Sequence, residues 1–402
     1  MVRALESEKR LGRTQRVSEE LEGAGGLALG TVPPIWVSRP TAYKLIDRYE
    51  REGEACLEER SRAPLHSPQA IGLEVADRVL ALRGRHPRWG PRKLQAYLQV
   101  REPKLVVPAA STIGELLRRE GLSHPRKKRV RTPLCSSPLS HALAPNDLWC
   151  TDFKGWFLCG DGQRCDPLTI SDACSRFALR CRAVDETKEA QVRAVFHTVF
   201  DENGLPVGIR TDNGPPFASP APGGLSRLSI WWVHLAIRHE RIRPGCPQEN
   251  GRHERLHDTL KQETASPPAA SLRKQQEAFA RFEREYNYER PHEALNYHTP
   301  AELYVPSPRI YPARLPEVEY PKDAILRHIS ASGDLKWRSQ KTFLSKVLDG
   351  EIVGLIAQEE DFYEVYFGPV LLGWLEATGP VFVPDKGPPR SHRKHPAAQP
   401  ER

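Results

Sequence analysis

The stretch DLWCTDFKGWF, Asp147 to Phe157, decides how the rest of the chain is read. Its Trp149, Phe153 and Phe157 give it the aromatic composition of a β-strand. Asp152 stands in the middle of that run, where a charged residue ordinarily does not belong. RCDPLTISDA (Arg164 to Ala173) and SRFALRCRAV (Ser175 to Val184) read as two further strands, the first reached through a Gly160-Asp161-Gly162 turn. Lys188 to Phe200 reads as a helix, and GLPVGIRTDNG (Gly204 to Gly214) as a strand that ends in a turn. A Pro/Gly-rich loop follows, then a helix over Ser229 to Ile237 and a short strand over Ile237 to Pro244. ENGRHERLHDTLKQE (Glu249 to Glu263) and Leu272 to Asn287 are helices, and ERPHEAL (Glu289 to Leu295) closes the region. Three meandering strands, a helix, a strand, then helices around one more strand predict a mixed α/β sheet covered on both sides.

The flanks differ in character. Upstream, VSRPTAYKLIDRYEREG (Val37 to Gly53) reads as a turn and a helix, with Ser38 as N-cap and Pro40 in the first turn. Arg39, Thr41 and Lys44 near its start suit a recognition helix laid in a DNA groove. A second helical unit holds Ala70 to Gly84, a helix after Gly90-Pro91 that carries Arg92 and Lys93, and Ala110 to Gly121 with Ser111 as its expected cap. A basic run, Arg126, Lys127, Lys128 and Arg129, then reads as a flexible phosphate-neutralising arm ahead of a Pro/Ser-rich linker. From Arg83 to Arg131 there are 14 Lys or Arg against 3 Asp or Glu, an excess of 11 in a chain of net charge +8. That asymmetry points to an anionic partner for the front half. Downstream, residues 322 to 383 hold short strands separated by turns, the pattern of a small β-barrel. The expected divisions are a divergent or disordered 1–34, a partial helix-turn-helix over 35–66, a winged-helix-like second unit over 67–125, and a linker over 126–145. The α/β core follows over 146–306, then the barrel over 307–385 and a disordered basic tail over 386–402.

The 8 Cys contain no C-x-x-C pair, so no zinc set is spelled out. Without a signal peptide, unpaired cysteines fit a reducing cytoplasm. No apolar run approaches membrane-spanning length, so no membrane partner is expected.

Three carboxylates stand out together. Asp152 is on the first strand, Asp212 ends another in TDNG, and Glu254 lies inside the Glu249–Glu263 helix. The intervals between them are 59 and 41 residues. Two strand-end carboxylates and one on a helix can meet at a sheet edge, which suits a hard, oxygen-seeking Mg²⁺. Taken singly each has a bland explanation: Asp212-Asn213-Gly214 is a common turn, and a helical glutamate ordinarily faces solvent. Glu249 is an alternative third member on the residues alone. Lys154 shares the strand face of Asp152, and Lys261 lies two turns beyond Glu254 on the same helix face as Asn250. All three are candidate contacts to DNA at the site.

From about Trp36 to about Pro380 the chain resembles bacterial insertion-sequence transposases with a retroviral-integrase-type catalytic core. The resemblance is carried by VSRPTAYKLIDRYEREG, HPRWGPRKL, NDLWCTDFKGWF, DPLTISDACSR, TDNGPPFAS, ENGRHERLHDTLKQE and YNYERPHEAL. It implies a ribonuclease-H-like core, a mixed five-stranded sheet with flanking helices. It implies Asp152, Asp212 and Glu254 as catalytic residues that hold two Mg²⁺ ions, for which Mn²⁺ can substitute. Glu254 is preferred to Glu249 because it falls four residues after Asn250, as in the family's N-[GA]-x-x-E pattern. The implied reaction is cleavage at transposon ends and strand transfer into target DNA, by a homodimer or larger assembly at the bacterial nucleoid. A DNA-binding relic of such an enzyme, or a different nuclease on the same fold, are the competing readings. The first 34 residues do not match the family. The interval before Glu254 is longer than usual, and its extra length is expected in a solvent-exposed loop over Ser219 to Leu228.

Overall fold

The computed structural model describes residues 39–57, 71–123, 141–243, 247–359, 362–376, 378–379 and 381–384. The expectations for residues 1–34, for Ser38, for Arg126 to Arg129 and for residues 386–402 lie outside these. The chain forms two compact units divided between Ala70 and Ile71.

In the first unit, α1 spans Arg39–Glu52 and runs into a 3₁₀ turn over Gly53–Leu57. Arg48 pairs with Glu52 at 3.3 Å and Arg51 with Asp47, each one turn apart. Thr41, Lys44 and Tyr43 are exposed.

The second unit begins with three helices, α2 (Leu73–Arg85), α3 (Pro91–Arg101) and α4 (Ala110–Arg119). Pro91 opens α3, where its missing N–H is no loss. The expected Ser111 cap is not used: Ala109 holds the N-cap position, and Glu115 turns to Arg118 and Arg119 instead. Val79, Leu82, Trp89, Leu94, Leu98, Ile113 and Leu117 form their core, with Trp89 stacked on His86 at 3.9 Å. No strand is found over 71–123, so this unit has no wing there.

The mixed sheet has the strand order β4–β3–β1–β5–β6. Its strands are β1 (Leu148–Phe153), β3 (Arg164–Asp172), β4 (Ala178–Val184), β5 (Gly208–Thr211) and β6 (Arg238–Arg241). A two-residue strand, β2 (Phe157–Leu158), adds to β3. The single strand expected over Asp147–Phe157 is therefore two, broken where Gly155 takes φ +87°. β1, β3 and β4 pair antiparallel, whereas β1, β5 and β6 are parallel.

Alternation gives this sheet two unlike faces. On one, Trp149, Leu168, Ile170 and Ile209 pack against α5 (Glu189–Asn203) and α6 (Arg227–His234) through Phe196, Phe200, Trp231 and Trp232. On the other, Cys165, Cys181 and Ala183 meet α7 (Gly251–Thr264) and α8 (Leu272–Tyr288) through Leu256, Leu260, Phe279 and Phe282. β4 is an edge strand, and α8 covers its free backbone: Asn287 bonds both the N–H and C=O of Ala178, and Gln276 does likewise across Ala183 and Cys181. A short α9 (Pro300–Leu303) ends the core.

The expected β-barrel is not closed. Five strands, β7 (Ile325–His328), β10 (Ile352–Glu359), β11 (Phe362–Phe367), β12 (Val370–Glu376) and β13 (Phe382–Pro384), form an open antiparallel sheet in the order β13–β12–β11–β10–β7. β8 (Asp334–Trp337) and β9 (Gln340–Phe343) form a separate hairpin. The reason is how the apolar face is covered. Val353, Leu355, Val365 and Leu372 pack onto Leu225, Ile230 and Val233 of the core, so the sheet need not curl onto itself. β13 is short and ends on Pro384, which has no N–H to offer a further strand.

The same contact corrects the expectation for the Ser219–Leu228 loop. Leu225, Ser226 and Leu228 are buried rather than exposed. Gly223, at φ +65°, lies so close to β12 that a Cβ would stand 2.7 Å from Val370 Cγ1.

Candidate active site at the sheet edge

Asp152 sits one residue before the end of β1, and Asp212 directly follows β5, the parallel neighbour of β1. Asp212 caps its own turn, its Oδ1 accepting from Gly214 N–H at 3.1 Å. Asn213 ties that turn to β6 by donating to the Ile242 carbonyl at 2.8 Å. Glu254 is exposed in the first turn of α7.

The electrostatics link all three. Burial pushes the Asp152 carboxyl from 3.8 up to about 7, the charge of Asp212 adds to this, and Glu254 contributes in the same sense. The Phe153 N–H, at 2.7 Å from Oδ1, and Lys154 pull the other way. A carboxyl this reluctant to ionise beside two others is what a cation would relieve. The donor set, three carboxylates and no soft ligand, fits a hard divalent ion. Yet among the described residues no three His, Cys, Asp or Glu side chains are grouped closely enough to enclose an ion. The triad is within electrostatic reach and not drawn together. Glu249, the alternative third member, is otherwise engaged: its carboxylate is held below the usual range by the Arg243 N–H at 2.9 Å and by the Arg243 side chain at 2.5 Å.

What orients α7 is absent from the expectations drawn from the sequence. His253 and His257, one turn apart on α7, are buried and reach β3. Thr169 Oγ1 lies 2.7 Å from His253 Nε2 and 2.5 Å from His257 Nε2, and Ser171 Oγ lies 2.7 Å from His253 Nδ1. Thr169 also donates to the Asp152 carbonyl at 3.3 Å, and it is the cross-strand partner of Asp152. With both Nε2 atoms protonated, every one of these contacts has one donor and one acceptor. Burial pulls His253 down to about 3 and His257 to about 2, so both rings stay neutral. One hydroxyl thus couples the strand of Asp152 to the helix of Glu254. The signal in the sequence was His at i and i+4 beside Leu256 and Leu260, on the face that turns to the sheet.

The expected DNA contacts divide. Lys154 pairs with Asp258 on α7 at 3.5 Å, and Lys261 lines the same hollow as Lys154. Asn250 is 4% exposed at the N-cap of α7, with no partner for its Oδ1, so it lies beneath the surface. Arg92 pairs with Glu293 at 2.9 Å on the surface. Lys93 is half-buried, its pKa lowered to about 8 chiefly by burial and then by Arg290. With the His86–Glu285 contact at 2.7 Å and Arg88–Gln262 at 3.0 Å, these side chains hold α2–α4 against the core. Thr41 and Lys44 are on the surface of the first unit.

Two family models, both described as an integrase core domain, match residues 142–247 and 235–300. The first spans Asp152 and Asp212 and the second spans Glu254. A 31.7 kDa protein of insertion element IS407 from Burkholderia multivorans is 28% identical over 248 residues, 60% of this chain and 86% of that protein. A 39.2 kDa protein of insertion element IS476 from Xanthomonas euvesicatoria is 26% identical over 243 residues, 60% of this chain and 67% of its own length. The chain thus carries an integrase-type core and is similar to insertion-element proteins. A model of a homeodomain-like domain matches residues 41–117. The Gag-Pol polyprotein of avian reticuloendotheliosis virus is 31% identical over 124 residues, 30% of this chain and 10% of the polyprotein. Among solved structures, the HTLV-2 integrase catalytic core domain in complex with magnesium matches 40% of this chain and 99% of that chain, at 17% identity and TM-score 0.33. A simian T-cell lymphotropic virus intasome chain matches 73% and 97%, at 16% identity and TM-score 0.36. These likenesses to solved structures are too slight to argue from. No helix among the described residues is long and apolar enough to cross a membrane.

Proposed function

We propose that this chain cuts DNA at the ends of its mobile element and joins those ends to target DNA, with Asp152, Asp212 and Glu254 as the catalytic carboxylates. The observation that carries the reading is the placement of half-buried Asp152 and of Asp212 at the ends of the parallel neighbours β1 and β5, with Glu254 in the first turn of α7. The raised Asp152 carboxyl, which feels both other charges, agrees with it. Two Mg²⁺ ions, or Mn²⁺ in their place, would be held by these three residues and would supply Lewis-acid stabilisation to the entering and leaving oxygens. In the first step a water oxygen bonds to a phosphorus at the element's end and the bond to the 3′ oxygen breaks, leaving a 3′-hydroxyl. In the second that hydroxyl bonds to a target phosphorus and displaces the target's own 3′ oxygen. One bond forms as one breaks, so neither step needs an external energy source. Asp212 and Asp152 are fixed by parallel strands, while the Thr169–His253–His257 contacts set where α7 presents Glu254. Lys154 and Lys261 supply positive charge beside the carboxylates for the DNA backbone. Holding two ends at once calls for a homodimer or larger assembly, acting in the bacterial cytoplasm at the nucleoid.

The test is to incubate the purified chain with labelled duplexes carrying its own flanking ends, in Mg²⁺ or Mn²⁺. Asp152→Asn, Asp212→Asn and Glu254→Gln should each lower cutting by several kcal/mol of transition-state stabilisation, about 10³-fold, with DNA binding retained. Cutting at the unmodified rate by any one variant removes that residue from the set, and an inert unmodified chain favours the DNA-binding relic.

A further inference from the structure

The segment between β1 and β2 carries an aromatic side chain that the reaction leaves unused. Trp156 is 58% exposed. Its indole is nevertheless held in place. Asp166, 2% exposed, accepts from Arg164 Nε at 2.6 Å and Nη2 at 3.2 Å. The guanidinium so fixed has its Cζ 5.1 Å from the centroid of the Trp156 ring. A buried carboxylate therefore anchors a cation, the cation steadies the ring, and more than half of the side chain stays open. A ring so fixed keeps an open surface on which an occupant can stack.

Its surroundings say what kind. Trp156 lines one small hollow with Lys154, Gly155, Phe157, Leu260 and Lys261. Lys154 is two residues from Asp152 and pairs with Asp258, one turn beyond Glu254. Trp156 is the fourth residue after Asp152, about 14 Å of extended chain at most. Lys154 and Lys261 line that hollow with the ring and Arg164 lies against it, so three cations, two of them paired to Asp258 and Asp166, stand about an aromatic side chain close along the chain to Asp152. Positive charge for a backbone with an aromatic face for a base is the combination by which unpaired nucleic acid is held.

We propose that Trp156 is the stacking platform for an unpaired base of the DNA strand whose backbone passes the carboxylates. This rests on the reading above for the course of the strand, but not on the chain being able to cut. Stacking is indifferent to base identity, since every base offers a π-face, so the platform recognises unpairing rather than sequence.

The test separates the two ideas. Binding of the full chain is measured by fluorescence anisotropy, in EDTA so that no cutting occurs. The labelled DNAs are a blunt duplex and the same duplex with an unpaired 5′ tail. The unmodified chain should prefer the tailed duplex. Trp156→Ala should lose roughly 5- to 100-fold in affinity for it and little for the blunt one, and Trp156→Phe should keep most of the preference. An unmodified chain that binds both equally, a Trp156→Ala variant that keeps the preference, or one that loses both duplexes alike would each overturn the platform. A platform loss in a chain that never cuts leaves this inference standing and sinks only the catalytic one.

Discussion

The two faces of the central sheet are built from the same strands and do different work. One meets α5 and α6 through Trp149, Ile170, Phe196 and Phe200, all fully buried and without a polar contact among them. The other places Asp152 beside Thr169, and Thr169 and Ser171 against His253 and His257. The first face gains from area removed from water and tolerates small shifts. The second also buries apolar area, through Leu256, Leu260, Phe279 and Phe282, and adds hydrogen bonds that have direction, so they fix where α7 stands along the sheet. The candidate site sits on the face whose hydrogen bonds specify position.

That contrast can be broken from either side. Phe200→Ala should remove a fully buried ring and lower stability by about 3–5 kcal/mol. Urea denaturation reads the loss, and cutting per folded molecule should be unchanged. A Phe200→Ala chain that is stable but inactive would mean the apolar face also positions the carboxylates. Thr169→Val keeps the volume but strips two imidazoles of their partner, for about 1–3 kcal/mol. Here the cutting rate should fall far more than stability accounts for, on the order of 10-fold or more, because α7 loses its register. DNA affinity should hold. Equal rates in Thr169→Val and the unmodified chain would reduce the imidazole contacts to packing.

The smallest effect sharpens the comparison by pH. The folded Asp152 carboxyl titrates near 7 against an ordinary 3.8. A raised folded value favours the protonated form, so its contribution is fully present below pH 4 and is lost as pH rises through 7. Without divalent ions, Asp152→Asn should therefore be more stable than the unmodified chain at pH 8, by on the order of 1 kcal/mol once solvent screening is allowed for. The gap should vanish near pH 4, and Mg²⁺ should narrow it at pH 8. A gap that is the same at both values, followed by thermal melts in EDTA, would show that neither burial nor Asp212 bears on Asp152.

Much of this was legible before any coordinates. The misplaced Asp152 and the strand ending in TDNG marked two positions of the proposed site, and the apolar stripe of α5 follows from its 3.6-residue period. These are local facts, set by neighbours in the chain. What was misread depended on partners far away. The C-terminal strands have the composition of a barrel, yet they stay open because Leu225 and Val233, more than a hundred residues earlier, cover their face. The loop that supplies Leu225 looked exposed for the same reason. Likewise nothing near Arg92 and Lys93 in sequence shows that Glu293 and Arg290 lie opposite them.

The sequence by itself determined that this chain has a mixed α/β core, a basic front half and three carboxylates in a fixed order, because composition, period and spacing are written along one dimension. Only the tertiary structure decided that Asp152 is half-buried within electrostatic reach of Asp212 and Glu254, that two histidines and a threonine set the pose of α7, and that Trp156 stands open between Lys154 and Arg164. Each of these depends on the register between β1 and β3 and on the packing of a helix across it. The physical reason is that proton affinity and hydrogen-bond direction answer to distances in space, which the order of residues constrains but does not contain.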